Sequence, residues 1–400
     1  MSAIKIEKII QASPSEVYRY FTNSTAMRDW MCDVATLHAH PGGHIYLCWP
    51  GEYYASGEFL QLEPEKLASF TWLGRGEPRS TIVEVRLKKR KGGTQVKLTH
   101  RGIGKGKKWA PIAETFQKEW ESSLSNLGSV LETGADLRIT RRPMMGIYID
   151  EFNPEIAERL CVPVKFGVRL SGNVDGMGAQ KAGLQKDDVI VSLDGRDLTQ
   201  GVPIGNILAT KHAGDVVEVA YYRGPEKKTV KMALSGRYIP PMPASGVDLA
   251  RQVEPTYHKY ESEFEKLLNN TTEEECAHKP APGEWSVNEI LAHLIHGEIG
   301  WQNYASEIIA GHEGSYDDYA GNLQARIEAT TVAFPTKGAL LQELKHHDAE
   351  TLTMLTHLPD EFMSHKGQCW KLAFQASQNE AHTQTHLEQM QAAVQSARKK

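Results

Sequence analysis

The sequence predicts a multidomain α+β protein in which two sheet-bearing modules precede an all-α four-helix bundle. Three observations carry this reading. A chain of 400 residues exceeds what one ordinary core sustains and suggests two to four domains. Apolar residues alternate in the first part of the chain and recur at steps of three and four in the last part, the two periods that separate strands from helices. Between these regimes lies Arg237-Tyr-Ile-Pro240-Pro241-Met-Pro243-Ala-Ser-Gly246, whose prolines continue neither a helix nor a strand ladder, so residues 237–246 read as a linker.

Composition narrows the function classes. A charged fraction of 24%, a formal net charge of −5 and a pI near 6.4 offer no general attraction to nucleic acid or to anionic membranes. Met1-Ser-Ala-Ile-Lys-Ile-Glu-Lys-Ile-Ile places charges inside its apolar run, and no window of about eighteen apolar residues occurs, so neither a cleavable leader nor a membrane span is expected and the location reads as cytoplasmic. The five cysteines, Cys32, Cys48, Cys161, Cys276 and Cys369, contain no CxxC pair and read as reduced, mostly buried thiols.

The first domain is expected over residues 1–136. Ile4, Ile6, Lys8 and Ile10 begin an alternating strand, and Ser13-Pro14-Ser-Glu16 supplies a cap, a proline at the first helical position and a Glu three residues on. Strand-like runs follow at Gly43–Trp49, Tyr54–Leu60, Leu67–Trp72, Ser80–Leu87 and Thr94–His100, evenly spaced as in an antiparallel meander. Phe116, Trp120, Leu124, Leu127 and Leu131 then mark a long helix with one apolar side. This order, together with Ala12-Ser-Pro-Ser-Glu-Val17-Tyr-Arg-Tyr-Phe21, Met27-Arg-Asp-Trp30, Glu119-Trp120-Glu-Ser-Ser-Leu124 and Leu131-Glu-Thr-Gly134, resembles the START-like (SRPBCC, helix-grip) superfamily in its heat-shock ATPase activator homologue branch. The resemblance implies a cavity between helix and sheet that takes an apolar small molecule. Trp49, Tyr54, Trp72, Phe116 and Trp120 are its candidate lining, with Tyr53 and Trp109 as further aromatics, although aromatics at these spacings also serve as plain core. His100 and Arg101 read as a solvated strand edge, and no acid–base pair stands out.

The middle domain is expected over residues 138–236. Val174-Asp-Gly176-Met-Gly178-Ala-Gln-Lys-Ala182-Gly183-Leu184-Gln-Lys-Asp187-Asp188-Val189-Ile190 and the turn at Asp194-Gly195 closely resemble the PDZ domain, a β-barrel-like fold, in its HtrA-like bacterial variety. The family's peptide groove runs between an edge strand and a helix, with backbone N–H groups of a short loop receiving a ligand's C-terminal carboxylate. That resemblance places the loop at Met144, Met145, Gly146 and Ile147 and the groove helix at Ile204 through Leu208 to Lys211, with a peptide or protein C-terminus as partner. The two methionines after Pro143 depart from the family's common loop. Arg141 and Arg142 are either solvated or placed to help hold a carboxylate.

The third domain is expected over residues 247–400. Tyr257, Tyr260, Phe264, Leu267 and Leu268 mark one helix; Ser286 and Glu289 form a capping box with a Trp285–Ile290 staple at the start of a second; a third spans about Gly338 to Thr356 and a fourth about Trp370 to Gln395. Four helices with two long connections make a bundle able to hold a metal in its interior. His382 and His386 lie four apart, on one face of the last helix, and His293 shares the inner face of the second with Ile290 and Leu294. A lone inward histidine is more often a satisfied core residue than a ligand; three neutral imidazoles that meet bind Zn²⁺, Ni²⁺ or Fe²⁺ and leave a position open. Glu284-Trp285-Ser286-Val-Asn-Glu289-Ile-Leu-Ala-His293-Leu and His382-Thr-Gln-Thr-His386-Leu-Glu-Gln389-Met390 resemble the DinB-like (DinB/YfiT) superfamily, and that family's metal triad falls on His293, His382 and His386. Glu289 is explained by capping, and His296, His346, His347 and His357 by exposure.

Two functional readings follow. In the first, a cytoplasmic, adaptor-like protein of bacterial type binds an apolar ligand and a peptide and carries a divalent metal in its bundle. In the alternative, the bundle is a metal-dependent transferase or hydrolase, using a low-molecular-weight thiol, and the other two domains recruit substrate. A co-chaperone role rests on the first domain's kinship alone.

Overall fold

A computed structural model describes residues 2–49, 53–198, 204–208, 211–237, 239–281, 283–312 and 322–399. The chain divides into two compact units, one of Met1–Ala135 with Pro240–Lys400 and one of Asp136–Ile239.

The first part of the larger unit holds β1 (Ser2–Ile10), α1 (Pro14–Thr22), α2 (Ser24–Arg28), β2 (Val34–Leu37), β3 (His44–Cys48), β4 (Tyr54–Glu63), β5 (Leu67–Gly74), β6 (Thr81–Arg90), β7 (Gly93–Ile103) and α3 (Ala110–Thr133). The strands make one antiparallel sheet in the order β1-β7-β6-β5-β4-β3-β2. Ser13 caps α1 through the expected reciprocal box with Glu16. The edge strand β2, paired to β3 from Val34–Cys48 to Leu37–Ile45, has no counterpart in the sequence reading, because four residues with one fully buried are too few to show alternation. Phe116, Trp120, Leu124, Leu127 and Leu131 of α3 are buried in the same core as the inner face of the sheet.

The smaller unit holds α4 (Leu137–Thr140), β8 (Ile147–Asp150), α5 (Pro154–Arg159), β9 (Val168–Asn173), α6 (Gly178–Lys181), β10 (Val189–Leu193), β11 (Arg196–Asp197), α7 (Ile204–Leu208), β12 (Val216–Arg223) and β13 (Glu226–Ala233). Its antiparallel sheet runs β13-β12-β10-β9-β8, with β11 paired to β10. Among the described residues no full ladder closes it into a barrel, but one antiparallel bridge, Met144 with Ser235, ties together the segments beside the two outermost strands.

The remainder of the larger unit is helical: α8 (Gly246–Asn269), α9 (Glu273–Ala277), α10 (Val287–Ile309), α11 (Gln324–Ala333), α12 (Lys337–Thr356), α13 (Asp360–Ser364) and α14 (Lys366–Ala397). The four long helices α8, α10, α12 and α14 are the expected bundle. Ser286 caps α10 in the expected box with Glu289. Helix α8 starts well before its predicted apolar run, because Ser245 caps it and Leu249, Ala250 and Val253 are buried, and it carries Pro255 within it. Helix α14 starts against the first domain: the Lys371 ammonium lies 2.9 Å from Asp29, which is 2% exposed, and Lys366 donates to the carbonyl of Glu132. A Cβ on Gly367 would meet Val130 at 2.6 Å, so the first turn of α14 approaches α3 at a distance only glycine permits. Residues 240–246 therefore lead into a unit already shared with the first domain, a packing that chain order did not signal.

Candidate metal centre and binding cavities

Helix α10 carries His293 and α14 carries His382 and His386, and the three rings converge. His293 Nε2 is 3.3 Å and His386 Nε2 is 3.0 Å from His382 Nε2, and the three donor atoms all lie within 4.8 Å of one another. A centre about 2.1 Å from each nitrogen would subtend roughly 105° and 90° at those two separations, within the range one coordinated ion imposes. His386 Nδ1–H donates to Gln389 Oε1 at 2.9 Å, which leaves the Nε2 lone pair directed at the cluster. Trp285 packs against His293 in a tilted arrangement, with centroids 4.9 Å apart, and restricts that ring's rotation. His293 and His386 are buried and His382 is partly so. Protons alone serve three facing Nε2 atoms poorly, whereas a single cation serves all of them; the donor set fits a divalent metal.

His382 also lines a cavity of about 50 Å³ between α8, α10, α12 and α14. Beside it stand Tyr257, Tyr260 and Phe264 of α8, Glu298 of α10 and Asp348 of α12. Glu298 accepts from Thr351 at 2.9 Å and from the Tyr257 hydroxyl at 3.1 Å. Burial pushes its carboxyl up to about 7 against the opposing pull of those hydrogen bonds. Burial, with Glu298 and Glu261 adding to it, pushes Asp348 up to about 9. Glu289 is not part of this group: burial would raise its carboxyl, but Lys279 at 2.7 Å and the Ser286 cap outweigh it and the net shift is downward.

In the first domain a cavity of about 500 Å³ opens between the sheet and α3. Trp49, Trp72, Phe116 and Trp120 line it, as does Tyr53. Tyr54 does not: it is 42% exposed and stacks on Tyr46, because the strand's alternation turns it to the opposite side from Ala55. Trp109 is buried with Arg79 over its ring, and the cavity lining does not include it. At the rim Glu77 Oε1 accepts from Tyr53 at 2.8 Å and from Trp72 at 3.2 Å, while its Oε2 is buried without a hydrogen-bond partner among the described residues.

His100 corrects the sequence reading. It is wholly buried, not a solvated edge, since it continues the inward parity of Val96 and Leu98. Thr81 donates its hydroxyl to the Trp72 carbonyl and so accepts from His100 Nε2–H at 2.7 Å, while the Trp120 indole donates to Nδ1 at 3.1 Å. Both ring nitrogens are engaged, and burial pushes the pKa down to about 4. His296 is likewise buried, against Thr330 at 2.7 Å, rather than exposed.

In the smaller unit Met145 lies in the core, and Ile147, Ile204 and Leu208 pack partly buried against the same cluster, which brings the expected loop, edge strand β8 and α7 together. Ala209 and Thr210 of the expected groove helix lie outside the described residues. Gly146 has φ +77°, and a Cβ there would lie 2.3 Å from that of Met177. Met144 pairs in both directions with Ser235, while Met145 and Gly146 carbonyls accept from Ala179 and Val174. Arg142 lies close enough to Arg237 to lower its pKa together with burial, the larger cause.

Three family models match this chain. Residues 11–132 match the activator of Hsp90 ATPase homolog 1-like protein family, residues 146–234 the PDZ domain and residues 256–390 the DinB superfamily. The chain thus combines an activator-homologue START-like domain, a PDZ domain and a DinB-like bundle. Among curated proteins, a probable periplasmic serine protease do/HhoA-like of Haemophilus influenzae is 31% identical over 94 residues, 24% of this chain and 20% of that protein. The activator of 90 kDa heat shock protein ATPase homolog 1 of Homo sapiens is 28% identical over 120 residues, 30% of this chain and 33% of that protein. The solved Aha1 dimer of Colwellia psychrerythraea is 21% identical with a TM-score of 0.30, over 33% of this chain and 97% of that one. The chain spans a fifth to a third of the length of these curated relatives. No helix among the described residues is long and apolar enough to cross a membrane.

Sequence reasoning missed the polar side of the DinB-like cavity. Asp348 follows Leu344 by four and precedes Thr351 and Leu355 by three and seven, so its place on the inner stripe of α12 was readable from spacing. Glu298 was readable in the same way, four after Leu294 and three before Trp301 on α10, but its partners on α8 and α12 were not.

Proposed function

We propose that His293, His382 and His386 hold one divalent cation, with Zn²⁺, Ni²⁺ and Fe²⁺ as candidates, and that the DinB-like bundle carries out metal-dependent transfer or hydrolysis on a small molecule in the adjoining cavity. A low-molecular-weight thiol is the candidate co-reactant. The observation that supports this reading is His382, the side chain common to the triad and the cavity wall. When bound, such a cation supplies Lewis acidity at neutral pH. Gln389 orients His386 and Trp285 orients His293, while Glu298, with a carboxyl near 7 held by Tyr257 and Thr351, is placed to take or return a proton at its carboxylate oxygens.

In the same proposal the three domains span 1–136, 138–236 and 247–400, and the first two recruit. The START-like cavity takes an apolar, aromatic-stacking molecule with one hydrogen-bond donor for Glu77 Oε2. The PDZ domain takes a peptide or protein C-terminus along β8, its carboxylate at Met144–Ile147 near Arg142 and Arg237, its side chains against Ile204 and Leu208. We place the protein in the cytoplasm because none of its five cysteines forms a disulfide; the periplasmic setting and serine protease activity in the Haemophilus relative's name belong to that protein. The adaptor-like reading, with binding alone and a structural metal, is favoured by the larger START-like cavity. Elemental analysis of tag-free protein tests the metal: about one divalent ion per chain is expected, lost in His293→Ala. A folded wild type without metal removes the enzymatic reading and leaves the adaptor.

A further inference from the structure

The bundle cavity contains two buried carboxyl groups and no lysine or arginine in its described lining. Glu298 has its hydrogen bonds made by Tyr257 and Thr351. Asp348 differs: it is 6% exposed, lines the cavity, and makes no hydrogen bond among the described residues. Nearby cations are drawn elsewhere, Lys345 to Glu265 at 2.5 Å and Lys259 to Glu380 at 2.9 Å. An acidic group buried without a counter-charge is costly unless it is protonated or meets a cation. Tyr257, Tyr260 and Phe264 complete the wall with aromatic rings, surfaces that attract cations. About 50 Å³ holds the equivalent of three or four waters, room for an ammonium group and a methylene or two.

We propose that this cavity receives the protonated amino group of a small-molecule ligand, with Asp348 as its principal counter-ion and Glu298 and the α8 aromatics around it. Such a ligand would present its remaining end towards His382. This deepens the metal-dependent reading only in saying which substrates enter, those bearing a primary amine; the amine site itself needs no metal. The charged and titratable groups around Asp348 are Tyr257, Tyr260 and Glu261 of α8, Glu298 of α10, Lys345 of α12 and His382 of α14. Because Asp348 is protonated at neutral pH, an incoming ammonium displaces its proton, and binding strengthens as pH rises from about 7 towards 9.

Calorimetric titration of the full chain with n-propylamine, and with 1-propanol as the neutral match, tests the site. Saturable one-to-one amine binding is expected, at least about tenfold tighter than the alcohol, with proton release seen as a buffer-dependent heat. Asp348→Asn should weaken the amine by at least about tenfold while metal content per chain stays unchanged. Equal binding of amine and alcohol, or no amine binding, overturns the proposal, as does amine binding that survives the substitution; a second equivalent of metal that Asp348→Asn removes would assign the carboxyls to a metal instead. If Asp348→Asn does not fold, Glu298→Gln and the amine–alcohol comparison in the wild type decide. Metal content is read separately, so a metal-free protein that binds propylamine defeats only the metal reading.

Discussion

His100 and the His293–His382–His386 triad both lie in the larger unit, and their surroundings treat them in opposite ways. His100 in the START-like domain has a donor for one nitrogen and an acceptor for the other, and burial keeps it neutral. In the DinB-like bundle His293, His382 and His386 turn their Nε2 atoms on one another, and Gln389 holds the far nitrogen of His386 in a way that fixes its tautomer. The cavities beside them differ in the same sense. One is large and walled by indoles, with Glu77 at its rim; the other is small and holds two carboxyls and two tyrosines. Burial of a histidine therefore says little about its role: what matters is whether its lone pairs are already used.

The contrast breaks most sharply at the triad. His382→Ala should reduce bound metal to below about 0.1 ion per chain by elemental analysis, whereas His100→Asn should leave it unchanged. Trp120→Ala, which removes both a cavity wall and the donor to His100 Nδ1, should cost about 3–5 kcal/mol in urea unfolding. The neutrality of His100 has its own signature. Its folded pKa, about 4, lies below the unfolded value, so the unfolded chain takes up a proton first; stability is lost as pH falls from about 6.5 to 4, by about 3 kcal/mol, and is flat below that. Subtracting the pH profile of His100→Asn from that of the wild type isolates this component. Gln389→Leu sharpens the comparison from the other side, lowering metal affinity about 10- to 100-fold in chelator competition with little effect on folding. The smallest effect belongs to Ser286→Ala, about 1 kcal/mol, since it removes the cap of α10 without touching either cavity.

Local signals were legible wherever physics is local. The capping boxes at Ser13 and Ser286, the four-residue spacing of His382 and His386, and the stripes of α3 and α14 all depend on residues a turn apart. Parity along β7 also held the answer for His100, but its neighbour Arg101 and its position near the strand end suggested an edge. Tyr54 shows the same rule from the other direction: adjacent to Tyr53 in sequence, it faces the opposite side of the sheet.

By itself the sequence determined the periods, the caps, the three modules and the pattern of ligand types, because each is set by spacing along one element. Only the tertiary structure decided that the first and last modules share one unit, that α14 begins against α3 and Asp29, and that Glu298 and Asp348 stand beside His382. Those outcomes depend on which helix faces which, and a face acquires its chemistry only when packing removes water from the groups it brings together.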